Sequence, residues 1–274
     1  MPQTEIGCPY GAVPGSGPSG SGGCRPWYSR ESKLALAHSW QFLRRYLQDP
    51  KSVGAIAPSS RALAAALCDP FRRAVGPVTV LEVGAGTGAV TRHLGGLLDS
   101  GDALDICEPD PKFTKILERD VLTREPLAAA VARGRVRLLR QPVQMLSERR
   151  RYDYVIAGLP FTAFTLSDLR DVFAAIRGVL KPGGVLSYFE YAGLRKTSRV
   201  LSIGRKRTRV RSVSAYLAQN IRDFQFDRKT VLRNLPPAYV RHLRFDPAPA
   251  AQGRPNQHSR QESNRGADPV QAGS

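Results

Sequence analysis

Between Leu81 and Thr91 the chain reads Leu-Glu-Val-Gly-Ala-Gly-Thr-Gly-Ala-Val-Thr, and no other stretch limits its fold as severely. Val78, Val80 and Leu81 lead in as a buried strand would, and a helix is expected to come after the turn. A tight glycine turn between strand and helix lets the backbone approach a ligand closely. Gly84, Gly86 and Ala89 satisfy the G-x-G-x-x-G/A spacing of dinucleotide sites. Glu82, two residues before Gly84-x-Gly86-x-Gly88, argues against a pyrophosphate, which a carboxylate repels. It suits the cationic amino end of a methionine. A second turn, Lys181-Pro-Gly-Gly184, is expected to lead from a helix into a later strand. Together the two turns predict a site for S-adenosylmethionine.

Strands and helices alternate around this turn, as a parallel α/β sheet requires. Strands are expected at 78–83, 103–108, 136–140, 154–157 and 185–191, with two closing strands at 230–234 and 239–245. Helices are expected over 62–67, 88–98, 112–132 and 167–179, and Ser59 or Ser60 is a plausible N-cap for the first. Five parallel strands and a terminal pair make a Rossmann-like, class I methyltransferase sheet of seven mostly parallel strands. An amphipathic helix over 31–48 precedes it, with Leu36, Trp40, Leu43 and Leu47 on one face and Arg44 and Arg45 on the polar side. Residues 1–27 and 247–274 are Gly/Pro/Ser-rich or aperiodic and predict disordered tails flanking a single domain over 28–246.

The formal charge of +18 draws the chain toward polyanions, either nucleic acid or an anionic bilayer. Arg195, Lys196, Arg199, Arg205, Lys206, Arg207, Arg209 and Arg211 crowd 195–211 without an acid, which predicts a basic loop. The alternative reading is a solvated stretch that only maintains solubility. A helix with Trp40 between basic residues can lie in a membrane interface or pack on its own domain. Cys8, Cys24, Cys68 and Cys107 show no metal-site spacing, and a reduced cytosol is the simplest setting. With no long apolar run and no signal pattern, the expectation is a peripheral or soluble protein.

For the cofactor, Gly84, Gly86 and Gly88 admit the ligand, Glu108 can accept both ribose hydroxyls, and Gln141 stands where an acid or amide meets the adenine amine. Methyl transfer from a sulfonium needs no metal, but a primary ammonium must lose a proton before it attacks. Tyr188, Tyr191, Glu190 and His242 are the candidate proton acceptors. Phe161, Phe164, Tyr188 and Tyr191 are candidate walls of a cage holding methylated ammonium by cation–π contact. Each also reads as an ordinary core or rim residue.

Four segments resemble the bacterial phospholipid N-methyltransferases: Ala57-Pro-Ser-Ser-Arg61, Ala157-Gly-Leu-Pro-Phe-Thr-Ala-Phe164, Gly183-Gly-Val-Leu-Ser-Tyr-Phe-Glu-Tyr191 and Asn234-Leu-Pro-Pro-Ala-Tyr-Val-Arg-His242. The resemblance spans about 36–245. It implies a class I fold, S-adenosylmethionine, and phosphatidylethanolamine or ornithine lipid as the amine acceptor. The helix bearing Trp40, Arg44 and Arg45 would then dock on the inner face of the plasma membrane, with Arg205, Lys206, Arg207 and Arg209 beside it. Gly158 falls to the cofactor side of the head-group pocket, and Leu159, Pro160, Phe161, Phe164 and Glu190 fall to the pocket itself. Gln141-Pro142 and Thr162-Ala163 depart from the family pattern. A basic RNA adenine dimethyltransferase is the main rival; it places an Asn or Asp where this chain has Gly158. A degenerate, non-catalytic membrane-binding module is the third reading, and nothing in the residues points to a protein partner.

Overall fold

The computed structural model describes residues 60–192, 205–234 and 236–245, with the backbone alone for 205–209. The expected segments 1–27, 31–48 (with Trp40, Arg44 and Arg45) and 247–274 lie outside the described residues. Seven strands form one sheet: β1 (Thr79–Val83), β2 (Ala103–Cys107), β3 (Val136–Leu139), β4 (Tyr152–Ala157), β5 (Leu180–Tyr191), β6 (Gln225–Val231) and β7 (Ala238–Arg244). Their order is β3-β2-β1-β4-β5-β7-β6. The first five run parallel, and β7 is inserted antiparallel between β5 and β6. This is the seven-stranded, class I arrangement that the sequence predicts.

Helices cover both faces. On one lie α1 (Arg61–Leu67), α2 (Asp69–Arg72), α3 (Ala89–Gly95), α4 (Pro111–Asp120) and α5 (Leu127–Ala132); on the other lie α6 (Leu166–Val179) and α7 (Arg205–Phe224). The parallel strands feed two cores, one on each face of the sheet. Leu81, Leu186 and Phe173 are fully buried in the α6–α7 core, whereas Val80, Leu104 and Leu117 are fully buried in the other. Each such side chain stabilises the fold by about 1.5–3 kcal/mol. Three helix starts are capped as their residues dictate. Ser60, Asp110 and Thr165 each accept a hydrogen bond from a backbone N–H in the first turn of the helix they precede.

Three expectations are corrected. The single helix over 112–132 is two, α4 and α5, because Pro126 has no N–H to continue a helix and instead stands at the N-cap of α5. Strand β5 begins at Leu180, so Lys181-Pro-Gly-Gly184 lies within it. Gly183, at φ +74°, shapes a bulge that sets Lys181 on Asp153 at 2.8 Å. Residues 205–211 are not loop but the first two turns of α7. Arg and Lys there, and Ala, Leu and Gln further along the helix, are strong helix formers, and Val213 and Leu217, four apart, anchor its apolar stripe in the core.

Helix α7 runs the length of the sheet. Its last residue, Phe224, packs on Phe245 beyond the end of β7. Arg177 of α6 is held between these two rings, 4.5 Å from each, and donates to Asn220 at 2.7 Å. That joint sits at the end of the sheet where β5 begins. The basic first turns of α7 therefore lie at the other end, where β1, β4 and β5 finish.

Candidate functional site

The glycine turn closes β1 at the level where its neighbours β2 and β4 also end. Gly84 N donates to Cys107 O at 2.8 Å, and Gly158 N donates to Val83 O at 2.8 Å, so the turn is fastened on both sides. Gly84, Gly86 and Gly88 all have positive φ (+74°, +56° and +82°), which only glycine adopts at little cost. Their surroundings differ. A Cβ on Gly84 would fall 2.3 Å from Leu159 Cδ2, and one on Gly158 would fall 2.6 Å from Gly84 O. A Cβ on Gly86 would meet nothing within 4 Å. Thus Gly158 lets two backbones touch and Gly84 makes room for the Leu159 side chain, while Gly86 leaves one face of the turn open to a ligand.

Two carboxylates frame this opening. Glu82 is 2% exposed, and Thr91 Oγ1 donates to its Oε2 at 2.7 Å, tying β1 to α3. Burial pushes its pKa up from 4.5 to about 8, against the lowering effect of the Thr91 hydroxyl. Its primary contact is therefore with the helix behind the turn. Glu108 comes directly after β2. Its Oε2 accepts from Gly86 N and its Oε1 from Asp110 N, both at 2.9 Å, and burial raises its pKa as well. Each of its oxygens keeps a further lone pair for a ribose hydroxyl. Gln141 is held by its main chain: the Cys107 thiol donates to Gln141 O at 2.8 Å. S-adenosylmethionine fits this framework. The open face of Gly86 gives it room, and Glu108 is the residue that would accept its ribose hydroxyls. When bound, it supplies a methyl group made electrophilic by a sulfonium.

On the acceptor side, β4 runs through Gly158, Leu159 and Pro160 into a 3-10 turn, Phe161–Ala163. The four rings expected to surround one ammonium are divided. Phe161 lies 5.1 Å from both Tyr188 and Phe173, with Phe164 at 6.2 Å, all on the α6–α7 side. Tyr191 packs at 5.1 Å on Phe189, on the α1 side. The cause is strand alternation, which turns residues 188 and 190 to one face and 189 and 191 to the other. Tyr188 is fully buried among these rings rather than at the opening. His242 is also fully buried, midway along β7 opposite Ser187, whose Oγ lies 2.8 Å from its Nδ1. Burial drives its pKa down to about 4, so it is neutral. The structure brings neither Tyr188 nor His242 to the glycine turn. Glu190 and Tyr191 are the last two residues of β5 and stand at that end; Glu190 accepts from Arg241 Nε at 3.2 Å.

Several contributors carry no signal in sequence spacing. Asn234 is 2% exposed, accepts from Ser60 N at 3.1 Å and donates to Pro236 O at 2.8 Å. It joins two of the resembling segments, 174 residues apart, at the rim of the site. Ala192 N donates to Pro237 O at 2.7 Å and brings in the end of a third. Of the unforeseen contributors, only Thr91 was within reach of sequence reasoning, because it lies on the first turns of the helix after Glu82.

A family model described as a methyltransferase domain matches residues 81–186. Over 148 residues the chain is 29% identical to the ornithine lipid N-methyltransferase of Singulisphaera acidiphila, covering 53% of this chain and 74% of that protein. Among solved structures, a possible exported protein of Bordetella parapertussis shares the fold at a TM-score of 0.50 and 17% identity, over 80% of this chain and 84% of its own. The 1,6-didemethyltoxoflavin-N1-methyltransferase of Burkholderia thailandensis, solved with its substrate and S-adenosylhomocysteine, stands at 0.49 and 19%, over 81% and 93%. With the glycine turn, the Glu108 carboxylate and the strand order already in place, the family model and the Singulisphaera match make the chain a class I, S-adenosylmethionine-dependent methyltransferase, similar over 148 residues to a bacterial lipid N-methyltransferase.

Proposed function

We propose that the protein methylates the amine of a lipid head group at an anionic membrane surface. The observation that carries this is the placement of the start of α7. Arg205, Lys206, Arg207, Arg209 and Arg211 occupy helix turns at the end of the sheet that also holds the glycine turn, Glu108 and the close of β5. Basic residues near an anionic leaflet contribute about 1 kcal/mol each, so a few of them would hold the opening of the site against lipid. The Singulisphaera relative is named for ornithine lipid, which sets that head group ahead of phosphatidylethanolamine.

The adenine dimethyltransferase reading fares worse. The side chain that would hold a flipped base must grow from position 158, and even a Cβ there falls 2.6 Å from a backbone oxygen. The chain's own part in transfer is positioning. Leu159 and Phe161, both essentially buried, exclude water beside the turn, and Glu190 and Tyr191 close β5 at the same end of the sheet.

The test is transfer of labelled methyl from S-adenosylmethionine to three acceptors in parallel: anionic liposomes with ornithine lipid, the same liposomes with phosphatidylethanolamine, and total RNA. Label in a lipid is the expected result and names the head group. Label in RNA alone would overturn the membrane reading.

A further inference from the structure

At the end of the sheet that carries the glycine turn, one large apolar side chain is left in water. Tyr191, Ala238 and Val231 lie in one row across β5, β7 and β6. The turn that joins β6 to β7 therefore projects beyond the close of β5, at the same end as the start of α7. Leu232 is the first residue of that turn and is 75% exposed. A single exposed apolar residue is ordinary, and what distinguishes this one is its surroundings. Val75, exposed at 97%, stands before β1 at the opposite end of the sheet.

The turn bearing Leu232 is stiff. Asn234 is buried within it, accepts from Ser60 N at 3.1 Å and donates to Pro236 O at 2.8 Å. Pro237 O accepts from Ala192 N at 2.7 Å, and the rings of Pro236 and Pro237 fix φ at both positions. A leucine held out on a stiff tip gives up little freedom when a partner buries it. Cations flank it. Arg233 is its neighbour in the turn, and Arg61 follows Ser60 in the first turn of α1; both are exposed. No acid occurs in 59–67 or 232–238. The start of α1 lies on one face of the sheet and the basic start of α7 on the other, while β6 is the edge strand.

An apolar knob collared by cations fits a surface with phosphates above and acyl chains below. Nucleic acid offers the phosphates without the apolar layer. We propose that Leu232 is a membrane anchor, entering the apolar layer of an anionic bilayer while Arg61 and Arg233 meet its phosphates. This rests on the membrane reading above and adds an apolar contact to it, one that salt does not screen. The start of α7, the start of α1 and the hairpin turn also make three points of contact rather than one, which sets the tilt of the sheet against the surface.

Sedimentation of the full chain with liposomes of phosphatidylglycerol and phosphatidylcholine tests it, at low and at moderate salt. The proteins compared are the wild type, Leu232→Ser and Leu232→Trp. Leu232→Ser is expected to bind about tenfold more weakly, the low end of what burying a leucine side chain yields. The factor is expected to be the same at both salt concentrations, and the melting temperature to stay in place. Leu232→Trp is expected to keep binding, because a tryptophan ring favours the bilayer interface. Its fluorescence, after subtraction of the wild-type signal, is expected to shift to the blue and to be quenched by lipids brominated on their acyl chains. Equal binding of the wild type and Leu232→Ser would overturn the proposal and leave the membrane reading standing. Failure of the wild type itself to sediment would overturn both. A lower melting temperature in Leu232→Ser with unchanged binding would place Leu232 under another part of this chain, and overturn the proposal as well.

Discussion

Gly86 and Gly158 border the same opening and should respond to alanine for different reasons. At Gly86 the added methyl has free space, so the folded state bears only the left-handed backbone, about 1–2 kcal/mol. The methyl would occupy room meant for the cofactor. Gly86→Ala should therefore lower the melting temperature by only a few degrees while weakening S-adenosylhomocysteine at least tenfold by calorimetry. At Gly158 the methyl meets the backbone oxygen of Gly84, and neither strand end can yield. Gly158→Ala should cost about 1–3 kcal/mol of stability, measured in urea, besides its loss of cofactor. Glu82 adds a pH dependence of definite sign. Its folded pKa, about 8, exceeds the ordinary 4.5. Below pH 4.5 both folded and unfolded chains hold the proton and nothing is lost. As pH rises from about 4.5 to 8, the unfolded chain ionises first, so stability falls across that window and levels off above it. Glu82→Gln should flatten this slope, so its stability relative to wild type should be greater at about pH 8.5 than at about pH 5. Parallel urea curves at the two pH values would refute it.

At the scale of elements, α7 offers a way to part charge from fold. Cations in the first turns of a helix oppose its macrodipole, and α7 has no acid there to offset them. Replacing Arg205, Lys206, Arg207 and Arg209 with Gln should leave thermal stability equal or slightly higher. The same change should reduce sedimentation with anionic liposomes several-fold at low salt, and unchanged sedimentation would sink the membrane role of this helix. The start of α7 was hidden in the sequence for a physical reason. Val213 and Leu217 keep helical spacing, but the charges before them mask the pattern, and a dense basic run looks like loop. Elements whose apolar residues recur without such cover, β1 to β4 and α6, were legible to within a few residues. The glycine turn and Glu108 were legible because their chemistry is local to one strand end. The aromatic cage was not: alternation along β5 sends neighbours in sequence to opposite faces. The contact between Asn234 and Ser60 was out of reach for a different reason, since the two become neighbours only through the antiparallel return of β7.

For the whole molecule, the charge of +18 is not spread without order. Within the domain many cations are consumed internally. Asp105, 2% exposed, is bridged by Arg137 and Arg151 and accepts from Tyr152 Oη at 2.8 Å, and Asp69 gathers Arg72, Arg73 and Lys229. The start of α7 has no such acid in its own turns, and it coincides with the open end of the sheet. The joint at the other end of this helix has a further effect. Arg177, gripped by Phe224 and Phe245, pins α7 where the sheet begins. Twenty helical residues then measure roughly 30 Å from that rivet to the charged tip. A rod of set length, riveted at its base, works as a depth gauge. It holds the charged tip at one height over the sheet, so a surface that meets the tip meets the methyl-transfer cleft at a constant stand-off.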